Sequence, residues 1–213
     1  MSPAVDPILV LILMLNFLLL GTSRLRTAIT ASAAQGALLG VLTVVVHGAP
    51  ALRPIVVGAA AIAIKGVLIP GMLHRALRDA AIRKEIEPYV SFVTSLVLGA
   101  VATGASVLFA DRLPLAPEHH GSLLVPASLA TVLVGFVILA TRKKAITQVV
   151  GYLVLENGIF VMGLTLHEAM PSLVEVGILL DLLVAIFVLG IVINHINREF
   201  ASLDVARLDS LKE

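Results

Sequence analysis

Long apolar blocks dominate the chain, and short polar segments that carry most of the charges separate them. A helix needs about 20 apolar residues to cross the roughly 30 Å hydrocarbon core of a bilayer. The blocks that meet or approach this length predict spans at residues 7–22, 28–47, 54–74, 88–110, 122–140, 145–167 and 173–197. Because backbone polar groups in lipid must be hydrogen-bonded internally, each span is predicted to be an α-helix. The expected fold class is therefore all-α, a polytopic membrane protein of about seven transmembrane helices.

Composition agrees with this class and excludes others. Of the 213 residues, 59% are apolar and 14% are charged, and the mean hydropathy is +1.05. Soluble domains are about 45–50% apolar and about 25% charged. A net charge of +1 provides no basic field for nucleic acid, which we exclude as a partner. The expected surroundings are the lipid membrane.

Cysteine is absent from the sequence. The chain therefore has no thiolate ligands for an iron–sulfur or nickel–iron centre, no disulfide and no cysteine nucleophile. It also has neither a phosphate-binding glycine loop nor a nucleophile elbow. We expect no active site, cofactor site or metal site in this chain, so any redox centre that it serves is expected on another chain.

Basic residues fall in alternate connecting segments. Of the fifteen Lys and Arg residues, twelve lie in residues 22–27, 75–87, 142–144 and the C-terminal tail, two lie in the other connections, and Lys65 lies inside a span. The positive-inside rule then predicts that the N-terminus lies outside and the C-terminus in the cytoplasm. No Lys or Arg precedes the first span and its cleavage site is weak, so we expect a retained helix rather than a signal peptide.

Three ionisable side chains are predicted near the middle of the bilayer: Lys65, Glu156 and Asp181. Counting 1.5 Å per residue from one end of each span places them about 12–16 Å deep. A charge at this depth costs about 2.5–3.5 kcal/mol and is by default a candidate functional group. We expect Lys65 to face protein, with a carboxylate of another chain or Glu156 as its partner.

Two interpretations of these charges stay open. Burial disfavours the charged form of an ionisable group and pairing with an opposite charge favours it, so such a group can gain or lose a proton near neutral pH. In the first interpretation the three residues form a path for protons or other ions. In the second they form a buried ion-pair network that only holds helices together.

Further polar residues accompany Glu156. Gln148 and Tyr152 precede it at intervals of four residues, which places all three on one helical face, and Asn157 follows it directly. These residues support either an ion path or hydrogen bonds between helices. Glu175 lies two residues into the last predicted span. It either supports the ion path or stabilises the helix by its interaction with the positive end of the helix dipole.

Several segments carry a family resemblance. Residues 142–158, RKKAITQVVGYLVLENG, resemble the signature of the hydrogenase-4 component E family, in which a basic turn precedes a helix with Gly-Tyr and Glu-Asn-Gly. Residues 173–181, LVEVGILLD, are similar to the family's last helix, and residues 203–212, LDVARLDSLK, to its tail. Residues 64–70, IKGVLIP, resemble its third helix. The segments follow the order of the family over nearly the whole chain.

The C-terminal part also resembles the small K-type subunit of respiratory complex I, whose second and third helices each carry a membrane glutamate. Glu156 matches the first glutamate, and Asp181 falls near the second, although it is an aspartate and the connection is shorter here. We therefore divide the chain into a four-helix membrane portion, residues 1–120, and a K-subunit-like three-helix portion with a short cytoplasmic tail, residues 121–213.

The resemblance implies a membrane subunit of a complex I-like nickel–iron hydrogenase, such as a formate hydrogenlyase. Antiporter-like membrane subunits and peripheral hydrogenase and iron–sulfur subunits are its implied partners, and the metal centres lie on the peripheral ones. Lys65, Glu156 and Asp181 then couple electron transfer to proton or ion translocation. Two alternatives remain, a structural adaptor that docks antiporter-like subunits and an independent transporter of a small solute.

Overall fold

The computed structural model describes residues 4–46, 52–79, 88–113 and 122–166. In these ranges the helical elements are α1 (Val5–Gly21), α2 (Leu25–Val46), α3 (Leu52–Ala61), a π segment (Ile62–Leu68), α4 (Ile69–Asp79), α5 (Phe92–Ala110), α6 (Leu124–Thr141) and α7 (Ala145–Leu166). The last predicted span, residues 173–197, lies outside the described residues, and so do Glu175 and Asp181.

Five helical stretches in the described ranges are long and apolar enough to cross a membrane. They are Leu25–Val46, Pro54–Arg78, Phe92–Ala110, Leu124–Thr141 and Ala145–Thr165. The helix α1 is a shorter apolar helix of 17 residues. Six of the seven predicted spans coincide with these helices, with ends that differ by a few residues. The prediction of an all-α, multi-pass membrane chain is confirmed, whereas the count of seven stays a prediction.

The elements α3, the π segment and α4 run on without interruption and form one helix, the α3–α4 rod. Where the π segment ends, the Ile69 N–H donates to the carbonyl of Ile64, five residues earlier rather than four. Pro70 accounts for this widening, because it lacks an N–H and its ring would clash with the Gly66 carbonyl in a regular α-helix. The sequence analysis predicted a plain span here, so it missed the π turn around Lys65.

The helix α2 and the consecutive helices α6 and α7 form the centre of the bundle. α2 packs against α1, α7 and the α3–α4 rod, and α6 packs against α7, α5 and α1. The apolar stretches of α2, α6 and α7 are 50%, 56% and 67% buried, and those of the rod and α5 are 22% and 17% buried. The rod and α5 therefore turn most of their apolar surface away from the bundle.

Contacts between distant segments show which helix ends lie together. Arg142, directly after α6, donates a hydrogen bond of 2.7 Å to the carbonyl of Leu20 near the end of α1. At the opposite end, a carboxylate oxygen of Asp6 in α1 accepts from the Leu123 N–H at 3.4 Å. The α1–α2 and α6–α7 turns, with their basic residues, therefore lie together at one end, which we call the basic end.

The buried apolar side chains form two clusters, one towards each end of the bundle. Helices α1, α2, α6 and α7 contribute to both. The cluster at the basic end includes Leu20, Ile29, Ile138 and Val150. The cluster at the other end includes Leu9, Leu39, Leu124 and Val161. Between the two clusters lies a level of polar side chains, which holds the candidate site.

Candidate functional site

An ion pair joins the α3–α4 rod to α7 at this intermediate level. The Nζ atom of Lys65 lies 3.0 Å from Oε1 of Glu156, and the two side chains are 12% and 2% exposed. The ammonium also lies 5.1 Å from the centroid of the Phe160 ring, within cation–π range and one helical turn beyond Glu156. The prediction that Lys65 faces protein is confirmed, and Glu156 is a partner of Lys65 among the described residues.

Glycines allow close approach of the helix backbones on either side of the pair, between α2 and the rod and between α7 and α6. Gly36 of α2 lies against the rod, where a Cβ atom on it would come 2.6 Å from the Cβ of Lys65. Gly158 of α7 lies against α6, where a Cβ atom would come 2.6 Å from the backbone nitrogen of Val132. Because side chains do not tolerate such distances, glycine permits the close approach at both positions.

Four buried neutral residues, one each from α1, α2, α6 and α7, form what we call the polar layer: Asn16, Gln35, Thr131 and Asn157. Hydrogen bonds join them across the four helices. Nδ2 of Asn157 donates to Oε1 of Gln35 at 3.5 Å, and Nε2 of Gln35 donates to Oδ1 of Asn16 at 2.7 Å. Nδ2 of Asn16 donates to Oγ1 of Thr131 at 2.9 Å. The polar layer therefore ties four helices together.

The hydrogen bonds of the polar layer all point the same way. The bonds between helices donate from α7 to α2, from α2 to α1 and from α1 to α6. Within α6, the Thr131 hydroxyl then donates to the carbonyl of Ala127 at 2.7 Å. Consecutive hydrogen bonds of this kind polarise and strengthen one another in a low-dielectric interior. Asn157 directly follows Glu156 in α7, so the polar layer begins beside the ion pair.

The chemistry of the pair follows from its burial. Taking two charges out of water costs several kcal/mol per ion, and close geometry with further polar contacts is needed to offset this cost. A carboxylate beside an ammonium can hold one proton on either partner, as an ion pair or as two neutral groups. Whether Lys65 and Glu156 move a proton stays a prediction.

The predicted supporting residues of α7 separate into two groups. Asn157 belongs to the polar layer. Gln148 lies nearer the basic end, where its Nε2 donates to the carbonyl of Arg142 at 3.0 Å. Tyr152, one turn further along α7, is partly buried. The part that these three residues play in ion movement stays a prediction.

The sequence analysis missed three members of the polar layer: Asn16, Gln35 and Thr131. A signal was present for two of them, because Asn16 and Gln35 are amides inside apolar blocks and a buried amide is costly without a hydrogen bond. Thr131 gave no such signal, since threonine in a helix commonly bonds back to the carbonyl of its own helix. Only the packing of α1 on α6 reveals its second contact.

Arg142 was also missed as a structural residue, because it reads in the sequence as part of an exposed basic turn. Its side chain is 1% exposed. The guanidinium carbon lies 4.4 Å from the centroid of the Phe92 ring, while Nη2 bonds to the carbonyl of Leu20. Arg142 therefore links α1, α5 and the α6–α7 turn at the basic end.

The chain is similar to curated bacterial proteins. It is 33% identical over 162 residues to the uncharacterized protein Rv0085 of Mycobacterium tuberculosis, and the match covers 75% of this chain and 73% of that protein. The chain belongs to the family of this mycobacterial protein. The name of that relative states no activity, so membership in the family brings no function with it.

A second similarity is to hydrogenase-4 component E. The chain is 32% identical over 101 residues to this protein from Escherichia coli K12 and from Shigella flexneri. The match covers 47% of this chain and 46% of those proteins, so the chain matches about half of their length. This finding supports the resemblance drawn from the sequence. No family model and no solved structure matches the chain, and the likeness to the K-type subunit stays a prediction.

Proposed function

We propose that this chain is a membrane subunit of a complex I-like nickel–iron hydrogenase assembly of the formate hydrogenlyase type. In this role its intramembrane charges take part in proton or ion translocation coupled to electron transfer. The partial similarity to hydrogenase-4 component E supports the assembly. The helices of membrane-spanning length support a place inside the bilayer.

The observation that carries the ion-handling part of the proposal is the Lys65–Glu156 pair. Lys65 Nζ and Glu156 Oε1 lie 3.0 Å apart, at a level between two apolar clusters. A buried charge pair carries a desolvation cost, and apolar residues of similar volume hold helices together as well or better. Helix packing alone therefore does not explain why the chain has these charges. Ion transfer provides a reason.

The mechanism follows from opening and closing of the pair. When electron transfer elsewhere in the assembly separates the two groups, the Glu156 carboxylate binds a proton in place of the Lys65 ammonium. When the pair forms again, the ammonium displaces that proton. Asp181 then continues the path, with Gln148, Tyr152, Asn157 and Glu175 in support.

The partners of the proposed subunit follow from the same reasoning. Antiporter-like membrane subunits would lie beside it in the bilayer, and peripheral hydrogenase and iron–sulfur subunits would carry the electrons. Because this chain has no cysteine, the iron–sulfur clusters and the nickel–iron centre belong to those partners. The proposed location is a prokaryotic inner membrane, with the basic end in the cytoplasm.

Copurification tests membership in the assembly. The full chain with an affinity tag is extracted from native membranes in mild detergent, and the proteins that come with it are identified by mass spectrometry. We expect antiporter-like chains together with chains that bind iron–sulfur clusters. A chain that is recovered alone and stable would instead support an independent transporter and contradict the proposal.

The structural-adaptor alternative makes a different prediction for the same assembly. If the buried pair only specifies packing, neutralising Glu156 should reduce the yield of the assembled complex before it changes ion movement. The proposal expects the opposite order, with assembly retained and ion movement lost. Quantifying the partner chains that copurify with a Glu156→Gln variant separates the two.

A further inference from the structure

Two consecutive residues of α2, Gln35 and Gly36, contact the two elements that carry the ion pair. On one side, Gly36 meets the α3–α4 rod at Lys65 itself. An added Cβ would lie 2.6 Å from the Cβ of Lys65 and 2.9 Å from its carbonyl carbon. The backbone of Lys65 therefore packs directly against α2 at Gly36, where the lack of a side chain leaves room for it.

On the other side, Gln35 reaches α7 next to the second partner. Its Oε1 accepts from Nδ2 of Asn157, the residue that follows Glu156. Its Nε2 donates to Oδ1 of Asn16 at 2.7 Å and to the carbonyl of Ile12 at 3.2 Å. Gln35 is fully buried, so these bonds hold its side chain at a fixed place between α1 and α7.

From these contacts we infer that Gln35 and Gly36 are positioning residues that set the separation of Lys65 and Glu156. The functional meaning of this inference rests on the proposed function, because both concern the Lys65–Glu156 pair. Gly36 fixes how near the rod comes to α2, and Gln35 fixes where α7 stands relative to α2. A shift of α2 against either neighbour changes the distance between ammonium and carboxylate, so α2 controls how readily the pair opens.

Solid-state NMR of the full chain in lipid bilayers tests this inference directly. The dipolar coupling between ¹⁵Nζ of lysine and ¹³Cδ of glutamate reports their distance, and a Glu156→Gln variant shows which signal belongs to the buried pair. We expect Gly36→Ala to abolish or strongly weaken the coupling, because the new methyl group pushes the Lys65 backbone away from α2. An unchanged coupling in Gly36→Ala would overturn the role of Gly36.

Two matched controls separate this effect from general loosening. A Cβ on Gly66, the neighbour of Lys65, would make an ordinary contact of 3.5 Å with the Ala37 side chain, so Gly66→Ala should retain the coupling. Gly40→Ala crowds the same interface one turn along, at Gly58 and Ile62. Loss of coupling in Gly40→Ala as large as in Gly36→Ala would contradict a specific role for Gly36.

Gln35→Met is a second test variant, and it tests the inference on its own if Gly36→Ala does not fold. Methionine retains much of the volume but cannot make the hydrogen bonds to Asn157 and Asn16. We expect a weaker coupling that is spread over several distances, and an unchanged coupling would remove Gln35 from the inference. The distance measurement needs no ion movement, so its outcome is independent of whether Glu156 proves to lie on a coupling path.

Discussion

Arg142 and Leu20 lie 122 residues apart in the chain, yet Nη2 of the arginine donates a 2.7 Å hydrogen bond to the leucine carbonyl. Leu20 belongs to the last turn of α1, whose final carbonyls have no partner within the helix. A cation at this end of a helix also interacts favourably with the helix dipole. The buried guanidinium therefore holds the short first helix in the bundle.

Removing Arg142 should destabilise the bundle. Arg142→Ala deletes a charged hydrogen bond and the contact with the Phe92 ring, for which we expect a loss of about 2–3 kcal/mol in the free energy of unfolding. Lys143→Ala is the control, because the exposed Lys143 ammonium lies 5.1 Å from the Tyr89 ring and should contribute about 1 kcal/mol or less. Steric trapping in bicelles measures both, and equal losses would contradict the assigned role.

The orientation in the membrane can be tested by cysteine labelling, since the natural chain has no cysteine. Ser23→Cys lies in the α1–α2 turn at the basic end, and Asp111→Cys lies after α5. Neither change removes a basic residue. A membrane-impermeant maleimide added to intact cells should label Asp111→Cys and spare Ser23→Cys. The reverse pattern would place the basic end outside and refute the positive-inside assignment.

The polar layer should contribute a measurable but modest stability. Thr131→Val retains the shape of the side chain but leaves Nδ2 of Asn16 without its threonine acceptor, so we expect a loss of about 0.6–2 kcal/mol. Thr165→Val is the control, because the Thr165 hydroxyl bonds to the Met162 carbonyl within its own helix. If both valine variants unfold with the same free energy, the bond between Asn16 and Thr131 contributes nothing.

The two residues of the ion pair could be found from the sequence because a charged side chain inside an apolar span carries a large free-energy cost. Lys65 and Glu156 are formal charges inside otherwise apolar blocks, and helix geometry alone placed both near the middle of the bilayer. Their pairing needed the fold, since a contact over 91 residues depends on how α7 and the rod pack. The sequence analysis therefore left the partner of Lys65 open between Glu156 and another chain.

Other features could not be predicted from the sequence because they depend on contacts between residues that are distant in the chain. Thr131 is an ordinary helix residue until Asn16 packs against it. The π turn around Lys65 had a local cause in Pro70, but proline bends or widens a helix in several ways, and the neighbours decide which one occurs. Gly36 could be recognised as a small residue, whereas its contact with the lysine required coordinates.

Energetic coupling between the charged partners can be measured by a double-mutant cycle. Lys65→Met leaves the buried Glu156 without its ammonium, and we expect a loss of about 3–5 kcal/mol. With Glu156→Leu added, the total loss should be smaller than the sum of the two single losses by about 1–3 kcal/mol. Unfolding in bicelles supplies the four free energies. Strictly additive losses would mean that the 3.0 Å contact has no energetic weight.

The central claim, that Glu156 lies on the path that couples electron transfer to ion movement, is tested most directly by Glu156→Gln in the purified, membrane-reconstituted complex. Glutamine keeps the size of the side chain and an oxygen that can accept from Lys65, but it cannot exchange a proton. The quantity to measure is the number of ions translocated per electron transferred, normalised to the amount of intact assembly. We predict that the complex assembles and keeps its redox activity while this ratio falls towards zero. A ratio equal to that of the natural complex would contradict the account.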